Sequence, residues 1–280
     1  MTESEPHNLQ QSTLWNGPSG QAWVESQQLM DQLLQPFEEL LVEAVTAEPC
    51  QQLLDIGCGT GATTLALARR LGPAARCTGV DISAPMLELA RARAEHESAP
   101  PAFIVADAQT HAFEPGSFDT IVSRFGVMFF DDPVRAFANL HGAAKPGARL
   151  VLIAWRSAAE NPFMTSAERV AAPFLPDLPA RRPHEPGQFA FGDPDRVRQI
   201  LKASAWSNIE VEPVDRPCSI PEPELTQYVT RFGPVGRLLQ QADVTLRSTV
   251  IGRVREALEP YVDAATVRFT SACWLIRASS

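Results

Sequence analysis

The chain has 280 residues, 45% of them hydrophobic and 20% charged, with a formal net charge of −9. That is an ordinary globular composition, long enough for one elaborated domain or two small ones with a buried core. The acidity speaks against nucleic acid or an anionic membrane surface as a partner, since both reward clustered Lys and Arg.

In chain order, the polar stretch "MTESEPHNLQQ" lacks the basic and apolar regions of a secretion signal. No later run approaches the roughly 18 apolar residues that span a bilayer, so no integral membrane association is expected. Residues 1–48 read as a helical N-terminal arm. Within it, "VESQQLMDQLLQPFEELLVEAV" spaces Leu29, Leu33, Phe37, Leu40, Leu41 and Val45 near 3.6 residues apart, a stripe that must pack on something. "LWNGPSGQAW" brackets a turn with Trp15 and Trp23, which either anchor the arm or also cover a ligand.

Strands and helices then alternate through 49–156. "QLLDI" (52–56), "RCTGVDI" (76–82), "AFIVADA" (102–108), "SFDTIVSRF" (117–125) and "ARLVLIAW" (148–155) are predicted strands. Helices separate them, the last, "DPVRAFANLHGAAKPG", ending at Pro146 and Gly147. Short apolar strands alternating with helices imply a parallel sheet covered on both faces. Residues 157–192 break the rhythm as a lid insertion with one helix, "PFMTSAERVAAPFL". The remainder of the core, 193–280, supplies a helix, strand six at 208–215 and a last strand in "TVRFTSACWLIRAS", with a helical insertion at 221–263. The expected fold is α/β: a Rossmann-like, seven-stranded, mostly parallel sheet with helices on both faces, plus the arm and the lid.

The five cysteines (Cys50, Cys58, Cys77, Cys218, Cys273) form no C-x-x-C pair and read as reduced thiols of a cytoplasmic protein. No His/Cys/Asp cluster has metal-ligand spacing, and neither a G-x-S-x-G nor a Walker loop occurs. No metal is expected.

The most informative stretch is "LLDIGCGTG" (53–61). Gly57, Gly59 and Gly61 sit where strand one turns into a helix, leaving a bare backbone on which a ligand can lie beside free helix N–H groups. Asp81, some twenty residues on, suits the hydroxyls of a ribose. Gly57, Gly59 and Ala62 also satisfy a loose dinucleotide fingerprint, so the glycines alone decide little. Asp55 separates the readings: it is unwelcome beside a pyrophosphate and favourable beside an ammonium. Asp107 in "VADAQ" is placed to accept from an adenine amine. A nicotinamide enzyme would also show a Tyr-x-x-x-Lys, and neither Tyr228 nor Tyr261 has the lysine.

"LLDIGCGTG", "GVDISAPMLELA", "FIVADAQ", "SFDTIVSRFGVMFF" and "AAKPGARLVLIAW" together resemble the successive motifs of class I S-adenosylmethionine-dependent methyltransferases, in the branch of the ubiquinone/menaquinone C-methyltransferases and many small-molecule enzymes. The resemblance covers roughly residues 50–155. It implies S-adenosylmethionine (SAM) as cofactor and S-adenosylhomocysteine (SAH) as product, with Asp55, Gly57, Cys58 and Gly59 at the methionine end. Asp81 would hold the ribose, Ile82 and Met86 would lie near the adenine, and Asp107 and Ala108 would read its rim. Ser123, Arg124 and Phe125 would lie under the sulfonium.

The acceptor is expected to be a small, partly apolar molecule in a pocket drawn from Met128, Trp155, Asn161, Phe163, Arg181 and Arg182. His184 is a weak candidate for a base. His7, His96, His111 and His141 read as surface or loop residues. A NAD(P)-dependent oxidoreductase using the same loop, or a SAM-binding protein without catalysis, are the alternatives. Either a monomer or a homodimer is compatible with the sequence.

Overall fold

The computed structural model describes residues 8–182 and 184–280; His7 lies outside them. Seven strands form the sheet in the order β3-β2-β1-β4-β5-β8-β6. They are β1 (Gln52–Ile56), β2 (Arg76–Asp81), β3 (Ala102–Val105), β4 (Phe118–Arg124), β5 (Ala144–Trp155), β6 (Ser207–Pro221) and β8 (Thr266–Ser279). A two-residue strand, β7 (Val262–Asp263), adds to β8. Strands β1 to β5 are mutually parallel. β8 is antiparallel to both β5 and β6, so it alone is reversed in the ordered sheet. The mostly parallel seven-stranded sheet expected from the sequence is thus present.

Helices α4 (Ala62–Leu71), α5 (Ala84–Ala94), α6 (Pro133–Ala143) and α8 (Pro194–Ala203) are the crossovers. Their starts follow from the sequence: Ser83, Asp132 and Asp193 cap α5, α6 and α8 through side-chain oxygens that accept from backbone N–H groups, each with Pro in the first turn. Residues Pro146 and Gly147 do not end α6. The helix stops at Ala143, and β5 absorbs both residues in an irregularity between the Phe118–Ala144 and Thr120–Arg149 pairs, with Gly147 at φ +75°. Strand β3 is also shorter than expected, and Asp107 lies in the turn beyond it.

The first 48 residues do not form one arm. α1 (Leu9–Asn16) and α2 (Pro18–Glu25) do project as one, but α3 (Gln27–Thr46) belongs to the core. Phe37, Leu41 and Val45 are fully buried on α3 in the same cluster as Leu54, Ile121 and Leu150 of the sheet. The apolar stripe drives this: burying each such side chain contributes on the order of 2 kcal/mol.

Beyond Trp155, which pairs with Cys273, β6 and β8 continue as a two-stranded ribbon past the carboxyl end of β5. Pro213, Pro217 and Pro221 suit β6 to the sheet edge, where missing N–H donors cost least. The ribbon leads into α9 (Leu225–Arg231), α10 (Gly233–Gln241) and α11 (Val244–Leu258). α7 (Pro162–Ala171), from the other insertion, packs against α11 and α10. The two insertions form a single helical cap over the carboxyl edge, the side on which open α/β sheets bind ligands.

Candidate functional site

One cavity of about 810 Å³ lies between the carboxyl edge, the arm and the cap. It sits toward the upper end of small-molecule sites, roughly 300–1,000 Å³. Of the site residues expected from the sequence, all but Ser123 and Asn161 line it.

Its floor is the turn after β1. Gly57 N and Cys58 N both donate to Val80 O, at 2.8 and 3.1 Å, which ties the turn to β2. Gly57 has φ +65°, and a Cβ there would sit 2.6 Å from the Cα of Gly126, so only glycine lets the turns after β1 and β4 touch. Ser123 secures the contact from behind: its hydroxyl donates to Ile56 O at 2.7 Å and accepts from Gly126 N at 3.1 Å. Ser123 therefore shapes the floor instead of facing the cavity, a correction to its expected role.

Three carboxylates stand at the carboxyl ends of adjacent strands: Asp55 and Asp81 inside the ends of β1 and β2, and Asp107 just past β3. Asp55 is 1% exposed, and the Thr64 hydroxyl donates to it at 2.6 Å. Burial pushes its carboxyl up to about 7, against the opposing pull of that hydroxyl and the Arg124 guanidinium. Asp81 accepts from Gly59 N (2.8 Å) with one oxygen and from Ser83 N (2.9 Å) with the other. Burial raises its pKa, opposed by those backbone donors. Each oxygen keeps a lone pair for a ligand hydroxyl. Asp107 accepts from Gln109 N at 2.9 Å, beside buried Ala108. The Cys58 thiol is buried below the turn, and burial followed by Asp81 and Asp55 lifts its pKa well above the ordinary value. It is an inert packing group.

Arg124 ends β4 and reaches α3, donating to Leu34 O at 3.0 Å. Burial lowers its pKa, opposed by Glu38, Asp31 and Asp55. Phe125 follows at φ +66°, an uncommon conformation for a bulky residue. Its ring lies flat on Trp155, with centroids 3.9 Å apart and planes 4° apart, and Phe37 meets both edge-on. Trp155 and Phe125 thus form one aromatic wall. Met86 of α5 approaches from the β2 side: its Cε would lie 2.8 Å from a Cβ added at Gly59.

The arm closes the cofactor-like end. Asn16 donates to Ile82 O at 3.0 Å and accepts from Ala84 N at 2.9 Å, and the Ser83 hydroxyl donates to Trp15 O at 2.6 Å. Both tryptophans line the cavity: Trp15 meets Phe129 edge-on at 5.2 Å, and Trp23 meets Phe232 at 5.9 Å. They anchor the arm and cover the cavity at once.

On the cap side, Phe163 of α7 stacks on Phe269 of the ribbon at 3.7 Å and meets Tyr228 at 5.9 Å. Arg181 forks onto Glu168 at 2.7 and 2.5 Å and lies over Phe189, while Arg182 pairs with Glu185 at 3.2 Å. His184 lines the cavity at φ +69°, and Gly187 N donates to Met128 O at 3.0 Å, holding the lid to the turn after β4. Asn161 is a correction. Its amide donates to Ala272 O and accepts from Ala272 N, so it joins the cap to β8 and leaves the cavity to others. His141 is likewise no simple surface group, since its ring packs edge-on against Trp206 at 5.3 Å.

Sequence reasoning missed Tyr228, Glu168 and Arg237 on cap helices and Phe232 between α9 and α10, all lining the cavity. Burial lifts the Tyr228 phenol to about 12, so it stays protonated and able to donate. Arg237 is the lone charge of "GPVGRLLQQ", which is the signal that marks it. No described group of three or more His, Cys, Asp or Glu side chains is arranged to hold a metal ion. No described helix is long and apolar enough to cross a membrane.

Comparison with known proteins agrees with this geometry. Residues 54–152 match the family described as "Methyltransferase domain". The chain is 30% identical over 131 residues to a 2-phytyl-1,4-naphthoquinone methyltransferase of a Nostoc species, covering 46% of this chain and 57% of that one. It is 27% identical to a demethylmenaquinone methyltransferase of Renibacterium salmoninarum, covering 62% and 73%. The chain thus spans little more than half of the Nostoc relative. The YcgJ protein of Bacillus subtilis shares the fold at TM-score 0.56 and 17% identity, over 87% of this chain and 97% of that one.

Proposed function

We propose that this chain, built on a methyltransferase domain, is a SAM-dependent methyltransferase acting on a small, partly apolar acceptor. One observation carries the reading. Three carboxylates, Asp55, Asp81 and Asp107, stand at the carboxyl ends of adjacent strands around a bare glycine turn, and all line one cavity. That donor set suits a ligand bearing an ammonium, a ribose diol and an adenine amine. It suits a pyrophosphate badly, because each carboxylate would repel it. Gly57 and Gly59, both at positive φ, leave the backbone bare beside the carboxylates.

SAM supplies an electrophilic methyl group on a sulfonium. The protein's own residues do the rest. Asp55 holds the ammonium end, and Asp81 takes the ribose hydroxyls while fixing Gly59 N. Asp107 with Ala108 recognises the adenine. Arg124 and Phe125, at the end of β4, lie beside the reacting centre, with Trp155 holding the Phe125 ring. The cap and the two arm tryptophans exclude water and align the acceptor, and alignment supplies much of the acceleration of an in-line displacement. The protonated Tyr228 hydroxyl orients the acceptor by donating to it. His184 on the lid remains the candidate base for an acceptor that must lose a proton. The printed names of the relatives make a quinone-type acceptor one version of this reading.

The test is calorimetric titration with SAH, with NAD and NADP in parallel. Micromolar binding of SAH alone is expected, followed by transfer from labelled SAM to acceptors of graded polarity. Binding of a nicotinamide dinucleotide instead would overturn the assignment of Asp55 and Asp107.

A further inference from the structure

A continuous chain of aromatic rings runs along the cap end of the cavity. Ring contacts run without a gap from Phe269 to Phe163 and Tyr228, then to Phe232, Trp23, Trp15 and Phe129, at centroid distances of 3.7 to 6.3 Å. The chain joins ribbon, both cap insertions, arm and the turn after β4 into one wall. A wall of that kind takes a flat or unsaturated apolar body.

Five arginines line the same cavity. Four are satisfied: Arg181 by Glu168, Arg182 by Glu185, Arg231 by Glu25, and Arg124 by the Leu34 carbonyl. Arg237 is the exception. It is half-buried on α10, at the junction with α7, and has no hydrogen bond or ion pair to a described residue. Glu168, whose two oxygens each accept from Arg181, acts on it through space and makes no ion pair with it. A guanidinium carries five donors and holds its charge in an apolar setting. Partial burial lowers its pKa, and its donors stay free for a ligand in the cavity that it lines. The acids lining the cavity are engaged elsewhere: Asp55 by Thr64, Asp81 by backbone N–H groups, and Asp31 by Arg93.

We propose that Arg237 is the specificity determinant of the acceptor site, and that the acceptor is an apolar, unsaturated molecule carrying an oxyanion which pairs with this guanidinium. The inference rests on the reading of the cavity as a methyltransferase site and goes beyond it by giving the acceptor a charge. The aromatic wall binds the body, and Arg237 fixes its orientation by holding one end. A neutral quinone would leave the guanidinium unpaired.

The experiment uses the full chain saturated with SAH, so that probes reach only the cap half. 8-Anilinonaphthalene-1-sulfonate and its uncharged counterpart N-phenyl-1-naphthylamine are titrated by fluorescence into the wild type, Arg237→Met and Arg237→Lys. Arg237→Met is expected to weaken the sulfonate at least tenfold and the neutral probe less than twofold, with Arg237→Lys recovering part of the loss. Equal loss of both probes, or loss of neither, overturns the assignment. A second arm needs no variant: 2-naphthoate and 2-naphthyl phosphate should displace the sulfonate from the wild type at least tenfold better than 2-naphthamide. The stronger of the two anions tells a carboxylate from a phosphate. Equal displacement by the amide overturns the proposal. Failure of SAH itself to bind the wild type would overturn the cofactor reading instead, and the two failures are therefore distinguishable.

Discussion

Asp55 provides the sharpest quantitative test. In the free protein burial holds its carboxyl at about 7, against an ordinary value of 3.8. That gap corresponds to on the order of 4 kcal/mol between folded and unfolded states. Between pH 4 and 7 the folded chain keeps a proton that the unfolded chain has lost, so stability falls as pH rises through this window. By pH 8 the full cost is present. Asp55→Asn keeps an oxygen for the Thr64 hydroxyl and removes the ionisation. The variant should match the wild type near pH 3, below the unfolded pKa, and exceed it at pH 8, by a few kcal/mol in urea unfolding. Cofactor affinity should move the other way. An ammonium beside Asp55 favours the ionised carboxylate, so SAH should bind the wild type more tightly as pH rises from 5.5 to 7, by up to tenfold per pH unit, then level off. Asp55→Asn should bind more weakly at pH 8 with a flat profile. His184→Gln, run alongside, removes the imidazole that lines the same cavity. A stability difference independent of pH, together with an unchanged slope in Asp55→Asn, would refute the assignment.

Asp81→Ala should weaken SAH at least tenfold in calorimetry, about 1.4 kcal/mol, because it removes the ribose contacts and frees Gly59 N and Ser83 N together. Gly57→Ala should lower the unfolding midpoint sharply, since its Cβ meets the Gly126 backbone at 2.6 Å in a positive-φ turn; an unchanged midpoint would show that the two turns part easily. Trp15→Ala should raise the SAH dissociation constant and speed hydrogen exchange at the Ser83 and Ala84 amides, because the arm loses its ring contact with Phe129 while Asn16 remains. Phe163→Ala should cost about 3–5 kcal/mol of stability through loss of its stack on Phe269, read in denaturant unfolding.

The cofactor half of the cavity was legible because its determinants are local. Strand periodicity gives the ends of β1, β2 and β4, glycines fall where the backbone must turn, and Asp55 and Asp81 lie inside those strands. Asp107 was found although β3 stops before it, since the strand and the turn share one short motif. The cap half depends on packing between distant segments and was read less well. Asn161 sits just past β5 in sequence, yet Ala272, 111 residues away, consumes its amide. Ser123 faces inward because Gly126 needs its oxygen, a contact no spacing reveals. α3 was grouped with the arm since its stripe shows only that it packs, not on what. Pro146 and Gly147 read as a helix stop because a bulge in a strand and a turn after a helix use the same residues.

The electrostatics of the edge explain why the two halves differ in character. Asp55, Asp81 and Asp107 stand at the carboxyl ends of adjacent strands, with Asp31 and Glu38 on α3 nearby. Burial raises Asp55, Asp81 and Glu38 together. Arg124 opposes the rise at Asp55 and Glu38, and Arg93 pairs with Asp31 and also lowers Glu38, yet burial still leaves Asp55 and Glu38 raised. On the proposed reading, the ammonium and the sulfonium of SAM, placed on this edge, relieve the repulsion among these acids. At the other end of the same cavity the sign reverses, because α10 brings in Arg237 without a counterion. On the proposed reading, the cationic cofactor and the anionic acceptor are each drawn to the end of the cavity that carries the opposite charge. The methyl group is the part of the cofactor that must cross toward the aromatic wall. Polarity of this kind orients both ligands before contact, which is what an in-line displacement needs from a protein that contributes no bond of its own.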